Sequence, residues 1–571
     1  MSPIRRKPTV SCLLLAVLFG GTAAAQLTRD QKIADFLTVA NAYGTSYGPY
    51  EWKKETQNFD LLQLQPWIDK VSATTSDTEF AEVLVDFVAS LNDAHDSISF
   101  PFFFQASLPL SVDIYDGVVL IESVSRARLP AAEFPFTTGD ELVSMDGRPV
   151  AEWIQQFRKY AIAANQRSTN RMAATMLVNR PQAAMPSLTT LADTATVEVR
   201  RAGGAVESYE IPWIKYGEPG TTFGRLASPT GRAAAAAAPS AVDVTFDDTL
   251  PLHMQPMAQF LQARVRADRY AVLNFGSRNP IYRLPDGFEL RLGRLSSDFF
   301  LSGTFPAAGL KIGYIRIPSF SPSSASLAYS QFEQEMAYFQ ANTDGLIIDD
   351  MRNPGGTVAF VEGLAQRVIP YQFRTLGFEI RATTAWVYSM EGTSVLAHLT
   401  GQPSWAVAAL DANLDQVRQA NSEVRGRTGP LSLNSTGTLQ LLPHPVAYKK
   451  PVMVLVDEFS ASGGDMFPAI LQDNKRALIY GYRTMGAGGN VVGYDVGSYS
   501  QASFSVTGSL MNRIAPVSSP GLPEAPYIEN IGVQPDIVAD YMTRDNLMNG
   551  GRTFVQGFTA AMVDYINKSK Q

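Results

Sequence analysis

Cysteine is almost absent: Cys12 is the single one in 571 residues. It lies in a stretch that reads as a secretory signal, with Arg5-Arg6-Lys7, an apolar run over residues 12–19 and Ala23-Ala24-Ala25 ahead of Gln26. Removal of residues 1–25 leaves no thiol, which excludes a cysteine nucleophile, a disulfide framework and a cysteine metal site together. Long apolar runs are also missing. The run in the signal is far shorter than the roughly twenty residues of a membrane span, and no later segment is apolar enough to make one. Basic runs stop with the first residues, and the formal net charge of −7 argues against a nucleic-acid partner. Histidine is scarce, with four in the chain. These absences predict a soluble exported protein, periplasmic or extracellular.

What is present is enough chain for two to four domains, arranged around residues 450–490. That stretch opens with the apolar run Val452–Val456, which suits a buried strand. Ser460-Ala461-Ser462-Gly463-Gly464 breaks it, and Met466, Phe467, Ile470 and Leu471 then follow helical spacing. A second buried run at 477–480 leads into a glycine-rich loop at 486–489. Strand, tight turn and helix with a serine at the turn present a hydroxyl at a helix N-terminus. Free N–H groups there can hold an oxyanion, although a serine in that place also serves simply as a cap.

Residues 27–92 read as helices, with capping-box pairs at Thr28/Gln31 and Ser76/Glu79. Phe80, Val83, Leu84, Phe87, Val88 and Leu91 form a 3.6-residue stripe, so His95 follows a well-packed helix. From about 102 to 213 the pattern turns to short strands: 117–124, then GDELVSMDGRPV at 139–150 with its Asp-Gly turn, a helix over 149–157, and a closing strand at 195–201. This part resembles a PDZ domain, a fold that binds peptides by adding a strand. It lacks a clear glycine-rich carboxylate loop, and a small β-domain that braces an enzyme is the alternative. Residues 231–240, with six consecutive alanines, suggest a linker. Beyond 303, strands are expected at 310–317 and 345–349, helices over 324–342 and 357–368, an irregular insertion with one polar helix near 405–424, and a C-terminal helix from Thr553.

A serine hydroxyl needs a base, usually histidine, supported by a carboxylate. His95, His253, His398 and His444 all precede Ser462, which excludes the order serine, acid, histidine of α/β-hydrolases. His95 stands out by its polar setting, Asp93-Ala94-His95-Asp96, whereas the other three lie in unplaced or irregular stretches.

Several ordered motifs make the chain similar to the C-terminal processing (tail-specific) serine peptidase family: IGYIRIPSF at 312–320, LIIDDMRNPGG at 346–356, VLVDEFSASGGDMF at 454–467 and IGVQPD at 531–536. The resemblance implies a mixed α/β fold, with a crotonase-like β-β-α catalytic core, an N-terminal helical region and a PDZ-like domain. It places the nucleophile at Ser462 rather than Ser460. The better-known branch pairs that serine with a lysine in the glycine-rich loop, but here the position is Ala487, and the nearest preceding lysine is Lys475. The chain instead resembles the tricorn-like branch, in which a histidine from the N-terminal part and a late glutamate complete the site. That implies His95 as base and Glu529 as acid, with Glu524 in reserve. Gly463 and either Gly355 or Gly356 would donate to the oxyanion.

The expected boundaries are a signal peptide at 1–25, a helical region carrying the base at 26–101, the PDZ-like domain at 102–213 and a linker or insertion at 214–302. The catalytic core then runs over 303–369 and 446–545 around an insertion at 370–445, with a C-terminal helix at 546–571. The expected activity is serine endopeptidase action on polypeptide through an acyl-enzyme, with no metal or organic cofactor implied. A catalytically silent peptide- or ligand-binding member of the fold is the alternative, and a small-molecule esterase or amidase is a further one.

Overall fold

The computed structural model describes residues 26–225 and 273–570. The expected signal with Cys12, the alanine-rich stretch at 231–240 and His253 lie outside them. Among the described residues no helix is long and apolar enough to cross a membrane.

Four helices come first among the described residues: Arg29–Ser46, Tyr50–Gln57, Gln65–Ala73 and Asp77–Ala89. Thr28 and Gln31 make a reciprocal capping box on the first, and the Ser76 hydroxyl accepts the Glu79 N–H on the fourth. Phe80, Leu84, Phe87, Val88 and Leu91 are buried, as their stripe requires. The fourth helix therefore points the loop that follows it, with His95, inward.

The PDZ-like region forms an antiparallel sheet in the order Leu110–Tyr115, Val118–Val124, Glu141–Met145, Thr194–Arg200, Val206–Pro212. Asp146 and Gly147 both have positive φ, 52° and 73°, which suits the tight hairpin turn expected of Asp-Gly. The strand expected to close this sheet has a further neighbour, Val206–Pro212, whose alternating exposure gives little apolar signal.

The central sheet has seven strands among the described residues, in the order Glu289–Leu292, Leu301–Ala307, Leu310–Arg316, Gly345–Asp349, Val452–Val456, Ala477–Gly481, Ile537–Val538. The last five are parallel neighbours, whereas the first two run antiparallel on one edge. Parallel strands are buried on both faces and read as unbroken apolar runs, as Val452–Val456 does. Alternate residues serve opposite faces. Leu346, Ile348, Val452 and Val454 pack with Phe332, Val361, Met466 and Ile470 on one side. Ile347, Met453 and Leu455 pack with Phe554, Phe558, Met562 and Ile566 of the helix Arg552–Ser569 on the other.

Two stretches differ from expectation. The stretch 214–302 ends in strands of the central sheet itself, so the expected boundary at 303 cuts the strand Leu301–Ala307. The stretch 370–445 carries two long helices, Thr384–Leu399 and Ser404–Ser422, where one was expected. It also carries strands Gly377–Arg381 and Arg427–Leu431, which join Ser509–Ser519 and Leu522–Tyr527 in a four-stranded sheet.

Candidate active site

Three loops leave the carboxyl ends of adjacent parallel strands: 350–356, 457–462 and 482–490. In parallel α/β sheets this edge collects ligands and chemistry, because strand ends and helix starts converge there.

Ser462 sits at the start of the helix Gly463–Asp473 with φ 56° and ψ −110°. A side chain at positive φ is strained, and at that ψ it lies outside even the left-handed helical region. The turn is held by Asp465, whose carboxylate accepts the Ser462 N–H at 2.8 Å, the Thr484 hydroxyl at 2.5 Å, and the Gly486 and Ala487 N–H groups at 2.8 and 3.0 Å. Burial raises the Asp465 carboxyl to about 6, against the pull of these donors. The Asp465 N–H lies by the Ser462 hydroxyl, as in a capping box, but donates to the Ser462 carbonyl at 2.9 Å, which leaves the buried hydroxyl without a hydrogen-bond partner among the described residues. Ser460 differs: its hydroxyl donates to the Asp350 carbonyl at 2.8 Å.

The double glycine lies against this turn. A Cβ on Gly355, at φ 91°, would meet the Gly463 nitrogen, and would come within 2.6 Å of the Ala461 carbonyl oxygen and 2.8 Å of the Ser462 Cβ. Only glycine allows both that φ and that approach. The Gly355 N–H is occupied, donating to Asn353 Oδ1 at 2.8 Å. The Gly356 and Gly463 N–H groups make no hydrogen bond among the described residues, and the Gly356 nitrogen would lie 3.0 Å from a Cβ on Gly463. Of the two expected alternatives, Gly356 therefore has the free donor beside Gly463.

His95 is buried on the loop after the helix Asp77–Ala89. Its N–H donates to Asp93 Oδ1 at 2.9 Å, and its carbonyl accepts the Ser505 hydroxyl at 2.7 Å. Asp96 is anchored by the Thr507 N–H and hydroxyl at 2.9 and 3.1 Å, so both flanks of the histidine are fixed.

Glu529 is fully buried. One carboxylate oxygen pairs with Lys53 at 2.5 Å and the other accepts the Gly488 N–H at 3.1 Å. Burial first, then the charge of Asp93, push this carboxyl up to about 8, against the attraction of Lys53. Lys53 also donates to the Asn92 carbonyl, three residues before His95, at 2.8 Å.

The candidate residues thus lie on loops laced to one another. Asp465 joins the serine turn to 484–487, Gly488 reaches Glu529, and Lys53 joins Glu529 to the turn before His95. Ala94, Ala461, Met485 and Ala487 share one apolar cluster. Ser462, His95 and Glu529 are 2%, 1% and 0% exposed, so charge among them acts through little water.

The other sequence candidates lie elsewhere. Glu524 is exposed on the strand Leu522–Tyr527. Lys475 is exposed beyond the far end of the helix that Ser462 starts, roughly 15–20 Å away at 1.5 Å per residue. His398 is 57% exposed beside Asp411, and His444 lies near Glu333. Sequence reading missed Lys53, and it missed Arg171. The Arg171 guanidinium is buried between Asp113, at 2.5 Å, and Glu458, at 2.8 Å, the latter four residues before Ser462. Burial would raise Glu458, but Arg171 and Arg167 outweigh it and hold the carboxyl down at about 2.

Residues 311–539 match the model of Peptidase family S41, and residues 104–222 match that of a PDZ domain. The chain carries a Peptidase family S41 domain beside a PDZ domain, and it is a serine-type peptidase. It is 27% identical to an uncharacterized protein of Chlamydia muridarum, with 97% of each chain covered. It is 26% identical to a protein of Chlamydia trachomatis serovar D, with 95% of this chain and 94% of that one covered. Among solved structures, mature CPAF complexed with lactacystin has a similar fold at TM-score 0.73 and 22% identity, covering 95% of this chain and 99% of that one. A mutant of CPAF superposes at TM-score 0.75 and 22% identity, over 94% and 98%.

Proposed function

We propose that this peptidase is an exported endopeptidase that hydrolyses polypeptides through an acyl-enzyme at Ser462, with His95 as base and Glu529 as its support. It would stand with the tricorn-like branch of the family. The observation that carries the reading is the Ser462 hydroxyl: buried, without a partner among the described residues, on a strained turn at a helix N-terminus, beside N–H groups of Gly356 and Gly463 that are likewise unoccupied among those residues.

The hydroxyl loses its proton to the His95 imidazole as Oγ bonds to the scissile carbonyl carbon. The carbonyl oxygen becomes an oxyanion, held by the Gly463 and Gly356 N–H groups, whose positions are fixed before the charge develops. Collapse breaks the C–N bond, and the imidazolium returns its proton to the leaving amine. Water, deprotonated by the same imidazole, then releases the acyl group and restores the hydroxyl. Ionised Glu529 stabilises the imidazolium. Export rests on the N-terminal sequence pattern alone.

The test is covalent labelling by a fluorophosphonate together with hydrolysis of an unstructured polypeptide. Both should occur in the wild type and vanish in Ser462→Ala. Labelling that survives in Ser462→Ala sinks the assignment of the nucleophile. Peptide binding with neither labelling nor hydrolysis points to a catalytically silent member of the fold.

A further inference from the structure

The lysine beside Glu529 is buried and fully engaged in a place where methionine would fill the same space. Lys53 is 1% exposed, and its ammonium donates at 2.5 Å to Glu529, at 2.8 Å to the Asn92 carbonyl and at 2.8 Å to Asn530 Oδ1. An ammonium has three donors, and each has an acceptor here.

We propose that Lys53 is a positioning residue of this peptidase, its ammonium locking the loop that carries Glu529 to the turn that delivers His95. The proposal rests on the assignment of Ser462, His95 and Glu529 as the catalytic set. The surrounding bonds close a ring. Asn530 Nδ2 donates back to the same Asn92 carbonyl at 3.1 Å, and the indole N–H of Trp52, next to Lys53, donates to Asn530 Oδ1 at 3.2 Å. Asn92 and Asn530 both take positive φ, 48° and 62°, so the ring fixes two turns that are not self-supporting. Both turns adjoin candidate catalytic residues.

Desolvating an ammonium and a carboxylate is costly, and a well-packed apolar pair of like volume is often as stable or more so. Packing alone therefore does not account for a charged residue here. The charge has a use at Glu529. Asp93 faces that carboxyl with Asp96 behind it, and the Tyr47 phenol, which donates to Asp93 at 3.0 Å, is held neutral by burial. Lys53 is the cation bonded to the carboxylate, opposing Asp93 and favouring the ionised form that an imidazolium needs.

The experiment compares wild type, Lys53→Met, Glu529→Gln and the double variant as full chains. It measures the rate of fluorophosphonate labelling from pH 5 to 10, kcat and KM on a peptide, and Tm. Lys53→Met should lower labelling and kcat roughly ten- to a hundred-fold, the scale on which outer hydrogen-bond partners act at metal sites, with KM little changed. Its rising pH limb should move to higher pH, because Asp93 then faces Glu529 without that cation. The double variant should label like Glu529→Gln alone. Wild-type labelling and an unmoved pH limb in Lys53→Met overturn the proposal, as does a loss seen only in KM. If Lys53→Met is too unstable to assay, the double variant decides, since it leaves neither partner of the pair charged and alone. Labelling equal to Glu529→Gln supports the proposal, and labelling far below it overturns it. Wild-type labelling in Glu529→Gln overturns the underlying assignment of the acid, and is distinguishable because that variant retains Lys53.

Discussion

Ser460 and Ser462 stand two residues apart on one turn, and their hydroxyls are differently employed. Ser460 donates to the Asp350 carbonyl, while Ser462 has no partner among the described residues. Ser462→Ala and His95→Ala should each lower turnover by roughly 10⁴-fold or more, and the double variant should be little worse than either, because members of one catalytic unit are not additive. Ser460→Ala should lose stability, about 1 kcal/mol on the scale of a single hydrogen bond, and keep most of its turnover. Glu529 makes a prediction in pH. Its carboxyl is raised from about 4.5 to about 8, so the folded state holds a proton that the unfolded state releases. The stability it contributes is therefore present below its ordinary value and is lost as pH rises through about 8. Activity runs the other way, because the imidazolium is supported only by the ionised form. Turnover should climb towards a plateau above about pH 8, and Glu529→Gln should be slower and lack that last rise. A wild-type profile flat from pH 6 to 9 would count against the acid. The serine turn was legible because strand, turn, helix and glycines are contiguous. Lys53 was not, since its partner is 476 positions away and a lysine on a short polar helix reads as a solvated one.

At the scale of elements, helices with regular apolar spacing and fully buried parallel strands were legible, because burial on one face or on both leaves a period in the sequence. The edge strand Glu289–Leu292 was not: its residues are alternately exposed and half-buried, and Glu289 and Arg291 give it no apolar run. The helix Thr384–Leu399 was equally hard to see. Tyr388, Val395, Leu396 and Leu399 are exposed on it, so its apolar residues do not mark an inner face. The element that matters most to the site is Gln166–Thr175, which no single motif announces. It supplies Arg171 to Glu458, Ser168 to the Glu458 carbonyl at 2.7 Å and Asn165, from its cap, to the Met485 carbonyl at 2.9 Å. Arg171 also lies 4.4 Å over the Phe459 ring. Arg171→Met would leave Asp113 buried without its guanidinium, and Glu458 with Arg167 alone. Removing one partner of such a buried set costs about 3–5 kcal/mol. A fall in Tm with a weaker acid limb of stability should be seen in thermal melts across pH. An unchanged melt would show that the Arg171 guanidinium is not what holds the Glu458 carboxyl down.

For the whole molecule, the sequence leaves two readings of the PDZ domain: a peptide-presenting module that could be cut away, with long substrates suffering more than short ones and Ser462 remaining reactive, or a β-domain that braces the enzyme. The contacts argue that bracing is part of its role. Arg171 and Arg167 lie inside the stretch matched as the PDZ domain, and both hold Glu458, on the loop that ends at Ser462. Arg167 also pairs with Asp540 at 2.7 Å, just beyond the peptidase match. The Asn530 side chain, next to Glu529, donates at 2.9 Å to the Ala164 carbonyl of the same stretch. Deleting residues 104–222 would strip Glu458 of both cations and remove one support of Asn530. The domain is therefore part of the wall of the site as well as a place where peptide could add a strand. Deletion should abolish fluorophosphonate labelling of Ser462 together with turnover of short and long substrates alike. A milder change separates the two roles: substitutions confined to the exposed edge of the PDZ sheet should leave labelling intact and slow only long polypeptides. If the deleted chain still folds and labels at the wild-type rate, Glu458 does not need its arginines and the two domains are independent after all.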